Sequence, residues 1–99
     1  MIVLPQGLQS YKRTPTFTET TVPAGLLNDH STKPGVWGVI HVEAGELHYF
    51  VTDARRGPSA CVLSSVSAPG VVEPTILHRV EARGPVRFHV EFFRALAAG

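Results

Sequence analysis

The chain has 99 residues, nine lysines and arginines against eight aspartates and glutamates, and 43% hydrophobic residues. That suffices for a single domain over 1–99 with a real core and little spare surface. A net charge of +1 with no basic stripe excludes nucleic acid as a partner, and no stretch reaches the roughly 20 apolar residues of a membrane helix.

Cys61 is the single cysteine and has no intrachain disulfide partner, which suits a reducing cytoplasm. Met1-Ile-Val-Leu is apolar, but Pro5 and Gln6 end the run short of signal-peptide length and no basic segment precedes it. The expected setting is soluble and intracellular.

Taken in order, Met1 to Ser10 shows no period and reads as an edge segment or a loosely held arm. Tyr11 to Thr21 is threonine-rich, with Phe17 as its apolar anchor. Thr14-Pro15 and Val22-Pro23 mark extended or turning backbone, because a residue before proline avoids the helical region. Pro23-Ala24-Gly25 is a turn, after which Leu26 and Leu27 are expected to begin a short strand carrying Asp29 and His30. Val36 to Glu43 reads as a central strand, with Val36, Gly38, Ile40 and Val42 on one face and Trp37, Val39 and His41 on the other. Glu43-Ala44-Gly45-Glu46 predicts a hairpin turn into a returning strand through Leu47, Tyr49 and Val51. Asp53 to Ser59 is expected as a surface loop with two exposed arginines, and Cys61 to Val66 as another short strand.

Ala68-Pro69-Gly70 is the turn before Val71-Val72, where Pro74 stops the strand by fixing φ and withdrawing a backbone donor. His78 opens the next strand. After the turn Arg83-Gly84-Pro85, Val86, Phe88, Val90 and Phe92 alternate with Arg87, His89, Glu91 and Phe93, which is the signature of a half-buried strand. Ala95 to Ala98 is short enough to be marginal as a helical turn. Short strands with glycine and proline punctuation, and no helix of ordinary length, predict an all-β fold. The first choice is a small cupin-type jelly-roll (double-stranded β-helix) barrel of eight strands. An immunoglobulin-like sandwich is disfavoured by the absence of paired cysteines.

His30 and His78 lie half the chain apart, each beside a turn, and a rolled-up sheet can bring them face to face. Neutral imidazoles with a carboxylate suit zinc, manganese, iron, nickel or copper, so His30 and His78, with Glu73 as third ligand or orienting group, form a candidate site for a divalent metal. The alternative is that each imidazole hydrogen-bonds a strand end and Glu73 pairs with Arg79 or Lys33. Lys33, Trp37 and His41 are candidate pocket residues. Lys33 could attract an anion, while core roles compete for Trp37 and His41. His48 and His89 fall on charged faces and are expected in solvent, and Cys61 is expected to be inert packing.

Leu4-Pro5-x-Gly7, Tyr11-Lys12-Arg13-Thr14-Pro15, Pro23-Ala24-Gly25, His30-x-Thr32-Lys33-x-Gly35-x-Trp37-Gly38, Glu73-Pro74-x-x-x-His78-Arg79-Val80-Glu81 and Phe88-x-x-Glu91-Phe92 resemble the small cupin family related to the N-terminal domain of tellurite-resistance protein B, in its stand-alone, YeaR-like members. The resemblance covers nearly the whole chain. It implies a small cupin barrel, a divalent metal in its mouth, and an association with tellurite or nitrosative stress. In that family the domain also occurs ahead of a methyltransferase domain. No glycine-rich cofactor motif is present here, so methyl transfer does not carry over. The sequence departs from the general cupin pattern at Thr32, where a second histidine is usual, and near Gly38, where a glutamate is usual.

Three functions follow. The first is a module binding a metal with a small molecule or oxyanion, and the second a metal-dependent enzyme of oxygenase or isomerase type. The third is a metal-free structural or interaction barrel. A homodimer is expected under each, because an exposed β edge needs covering.

Overall fold

A computed structural model describes residues 3–95. The alternating apolar pattern is realised as β1 (Leu8–Arg13), β2 (Phe17–Thr18), α1 (Ala24–Leu27), β3 (Trp37–Val51), β4 (Ser59–Ser64), β5 (Gly70–Val72) and β6 (His78–Ala95). The fold is all-β, with one helical turn. All six strands belong to one antiparallel sheet in the order β1-β6-β3-β4, with β2 added to β6 and β5 to β3. The expectation of an eight-stranded closed barrel is corrected here: among the described residues no pairing links β4 back to β1, so the sheet stays open.

The sheet is built on β3 and β6, which pair along nearly their whole lengths. Trp37 to Val42 lie opposite Phe88 to Phe93, and Leu47 to Val51 opposite His78 to Ala82. Between these halves the register shifts twice, once around Glu43 and once around Arg83 to Pro85. A single extra residue inverts which face a strand presents. Ile40 before the bulges and Leu47 and Tyr49 after them therefore all reach the same core. Gly45 and Gly84 take the positive φ angles of 76° and 77° that re-aim the two strands.

The expected hairpin between Val36–Glu43 and Leu47–Val51 is thus not formed. One positive-φ residue bends the strand without reversing it, and β6 supplies the partner for both segments.

Val86, Phe88 and Val90 are buried, as their two-residue period requires. Phe88 is 1% exposed and meets the ring of Phe17 edge-on at 5.7 Å. Burying such a side chain contributes about 1.5–3 kcal/mol. The expected strand from Leu26 to His30 is corrected as well. Pro23 enters α1 at φ −62°, Leu26 N–H donates to the Pro23 carbonyl at 3.0 Å, and Asn28 Nδ2 closes the turn on the Ala24 carbonyl at 2.9 Å. Leu26 packs on the core from this turn. Ala95 ends β6, and the rest of the expected C-terminal turn lies outside the described residues. Among the described residues no helix is long and apolar enough to cross a membrane.

Candidate functional site

β5 ends at Val72, and Glu73-Pro74-Thr75 turn the chain toward His78. Thr75 sits at φ 67°, a region that non-glycine residues seldom occupy. Its N–H donates to the Thr32 carbonyl at 3.1 Å, and its own carbonyl accepts Arg55 Nη2 at 2.6 Å. Asp53, 5% exposed, completes the clamp. Its carboxylate accepts the Leu77 N–H at 2.9 Å, the Arg55 N–H at 2.8 Å and the Arg55 guanidinium at 2.8 and 3.0 Å. The Arg55 side chain first, and then these N–H groups, hold the Asp53 carboxyl well below the usual carboxylate range. The backbone on the N-terminal side of His78 is fixed by these contacts.

His30, in the loop after α1, reaches His78 at the start of β6. The two residues form an isolated antiparallel bridge, each N–H donating to the other's carbonyl at 2.9 Å. Their rings lie 4.1 Å apart, centroid to centroid, tilted by 57°. Nδ1 of His30 is 2.9 Å from the Asn28 carbonyl and Nδ1 of His78 is 3.0 Å from the Ile76 carbonyl. A carbonyl oxygen only accepts, so each Nδ1 carries a proton, which in a neutral ring leaves the lone pair on Nε2. Each ring is bonded to a backbone carbonyl, as the alternative reading of these histidines expected, and the two rings are also in contact. His78 is 4% exposed, and burial, with His30 beside it, pushes its pKa down to about 4. It is neutral at physiological pH and able to donate its lone pair.

Both rings line a cavity of about 330 Å³ between the halves of the sheet. Its inner wall is made by buried Ile40, Val80 and Phe88, and its exposed rim includes Lys12 and Lys33. Thr32 Oγ1 donates to the Val36 carbonyl at 2.7 Å and so shapes the loop that carries Lys33. Among the described residues no aspartate, glutamate or cysteine lines this cavity. A neutral imidazole Nε2 is by its chemistry a suitable donor to a divalent transition metal. Among the described residues, however, no group of three or more His, Cys, Asp or Glu side chains is arranged to hold one. The remaining coordination positions would fall to water or to a bound ligand.

Of the predicted site residues, His30, His78 and Lys33 are brought together. Glu73 is not. It lines a second, more open cavity of about 860 Å³ that Tyr49, Cys61 and Val71 also line. There Arg56 holds its carboxylate through Nη2 to Oε2 and through Nε to Oε1 at 3.2 Å. Arg56 also holds the Glu73 carboxyl below its ordinary pKa. Trp37 and His41 share the opposite pleat from Ile40 and do not line the histidine cavity.

His41 instead stacks on His89 at 4.8 Å, directly across the β3–β6 ladder. His41 Nε2 lies 3.0 Å from Glu91 Oε1, and His89 Nδ1 lies 2.7 Å from Glu43 Oε2. His89, expected in solvent, is thus a bonded group with its side chain 15% exposed. The pairings of Asp53 with Arg55 and of Lys12 with the cavity were not anticipated. The first has a local signal, an acidic residue two positions before an arginine. The second depends on β1 pairing with the far end of β6, which nothing near Lys12 encodes.

The TehB-like domain model matches residues 12–90 of the chain. YeaR of Escherichia coli K12 is 28% identical over 101 residues, covering 96% of this chain and 85% of that protein. The crystal structure of TehB from Haemophilus influenzae superposes with a TM-score of 0.83 at 27% identity. It covers 91% of this chain and 32% of that one, so the chain spans about a third of TehB. A crystal structure of an E. coli K12 protein gives a TM-score of 0.85 at 26% identity, covering 98% of this chain and 100% of that one. On these grounds, the chain belongs to the TehB-like domain family.

Proposed function

We propose that this domain is a binding module in which His30 and His78 hold one divalent transition metal through their Nε2 atoms, beside a cavity that takes a small ligand. The observation that carries the reading is the pair of imidazoles in contact on the cavity wall, both Nδ1 atoms committed to backbone carbonyls and both Nε2 lone pairs left for something else. Zinc, iron, manganese or nickel suits such ligands. When bound, the metal would polarise an oxygen or nitrogen of the ligand as a Lewis acid. The chain's own residues orient and enclose. The Asp53–Arg55 clamp fixes the backbone leading into His78, and Ile40, Val80 and Phe88 keep one wall dry. Membership of the TehB-like family supports a link to tellurite-related stress.

Catalysis at the same centre is the competing reading. Among the described residues the cavity is lined by no carboxylate or thiol, and the two imidazoles are its lining side chains of the type that titrates near neutrality. That favours binding over turnover. The sharply bent sheet supports a cupin-type double-stranded β-helix left unclosed, with this cavity as its mouth. A homodimer in a reducing cytoplasm belongs to the same proposal. β4 carries no charged residue on its edge, whereas β1 has Lys12 and Arg13. Elution at the monomer mass in gel filtration would refute the dimer. Elemental analysis of protein purified without chelators tests the centre: it should show about one metal per chain, lost in His78→Ala. Protein free of metal that also takes up none would reject it.

A further inference from the structure

The geometry points to a small organic acid, an anionic head on a compact apolar body, as the ligand of the cavity beside His30 and His78. The inference rests on the reading of that cavity as the binding site and names what the site selects.

Charge gives the head. Lys12 and Lys33 line the cavity and neither enters an ion pair among the described residues. The nearby carboxylates are engaged elsewhere: Asp53 on Arg55, Glu73 on Arg56, Glu91 against His41, and Asp29, beside His30, accepting from Thr52 Oγ1 at 2.9 Å. None of them reaches the cavity wall, so the cationic rim is not neutralised from within. An anion entering there meets two ammonium groups and, among the described residues, no carboxylate on the cavity wall, and one of its oxygens is also a suitable ligand for a metal on the imidazoles.

Apolar surface gives the body. Ile40, Val80, Phe88 and Val90 form the inner part of the same cavity and are 2%, 4%, 1% and 9% exposed. A bare inorganic oxyanion uses the rim alone and makes no use of this apolar wall, while a hydrocarbon body packs against it. The volume of about 330 Å³ sits at the low end of small-molecule sites, which run from roughly 300 to 1,000 Å³. It suits a short acyl chain or a single ring and is too small for a nucleotide or a folded peptide segment.

The test is a calorimetric or NMR titration of the whole chain with straight-chain carboxylates from acetate to octanoate, run on metal-free and on zinc-loaded protein. Hexanol and inorganic phosphate serve as the uncharged and the non-apolar probes. Affinity should rise roughly fourfold per methylene until the cavity is full. Hexanoate should bind more tightly than either hexanol or phosphate. Lys33→Ala, in an exposed loop, should bring hexanoate down toward hexanol and leave hexanol unchanged. A flat length series, phosphate equal to hexanoate, or hexanol equal to hexanoate would each overturn the proposal. Zinc stoichiometry separates the two readings. A flat series on protein that binds one zinc removes the organic acid alone, and a rising series on protein that takes no zinc removes the histidine–metal centre alone.

Discussion

His78 is neutral because burial strips water from its ring and His30 stands beside it, and this has a measurable consequence. Its pKa is about 4 in the folded protein against 6.5 for an unperturbed histidine. A folded value below the unfolded one means stability is complete above the unfolded pKa and is lost as pH falls toward the folded one. The metal-free protein should therefore lose about 2 kcal/mol of unfolding free energy between about pH 7 and about pH 5, read from urea midpoints. His78→Gln, which cannot titrate, should flatten that slope. The Asp53, Glu43 and Glu73 carboxyls are all held below their ordinary values, so their losses come at lower pH and leave this window to histidine. Glu73→Gln should leave zinc affinity unchanged, because Arg56 already occupies that carboxylate. With the guanidinium 45% exposed, losing the pair should change stability by less than about 1 kcal/mol. The position of His78 was legible from sequence because the turn at Pro74 fixes the start of its strand, whereas His30 meets it from a loop after α1 and not from the expected strand. The fate of Glu73 was not, since it depends on where the loop after β3 places Arg56.

At the scale of elements, the bend at Gly45 decides the architecture. A Cβ there would lie 2.0 Å from the Pro85 carbonyl oxygen, and the residue holds φ 76°. Gly45→Ala should therefore destabilise the protein by about 3 kcal/mol or more in chemical denaturation. Gly25→Ala provides the control. It has nothing within 4 Å of an added Cβ and lies inside α1. It should be neutral or stabilising by up to about 1 kcal/mol. The same bend explains what the sequence concealed. Glu-Ala-Gly-Glu carries turn chemistry whether a strand reverses or only kinks, and the difference lies in the matching Gly84-Pro85 on a strand some forty residues away. The period of Val86 to Phe92 was legible because its alternation is local. The stacked His41 and His89 were not, because they meet only once β3 and β6 are paired. Leu26-Leu27 read as a strand for a similar reason: two apolar residues have no period, and the flanking Pro23 and Asn28 close them into a helical turn.

At the scale of the molecule, an open, bent sheet leaves a gap between its halves, and the two histidines stand on the wall of that gap. The all-β character was plain from strand spacing. Closure was not, because whether edge strands meet depends on how strongly β3 and β6 bend. The central claim is that this gap contains a two-histidine metal centre. Titration of metal-free protein with cobalt(II), followed by its visible ligand-field absorption, tests it most directly. One equivalent should bind in the wild type and in Glu73→Gln, and His30→Ala and His78→Ala should each abolish the signal while remaining folded by circular dichroism. Undiminished cobalt binding in both folded histidine variants, or none in the wild type, would contradict the account.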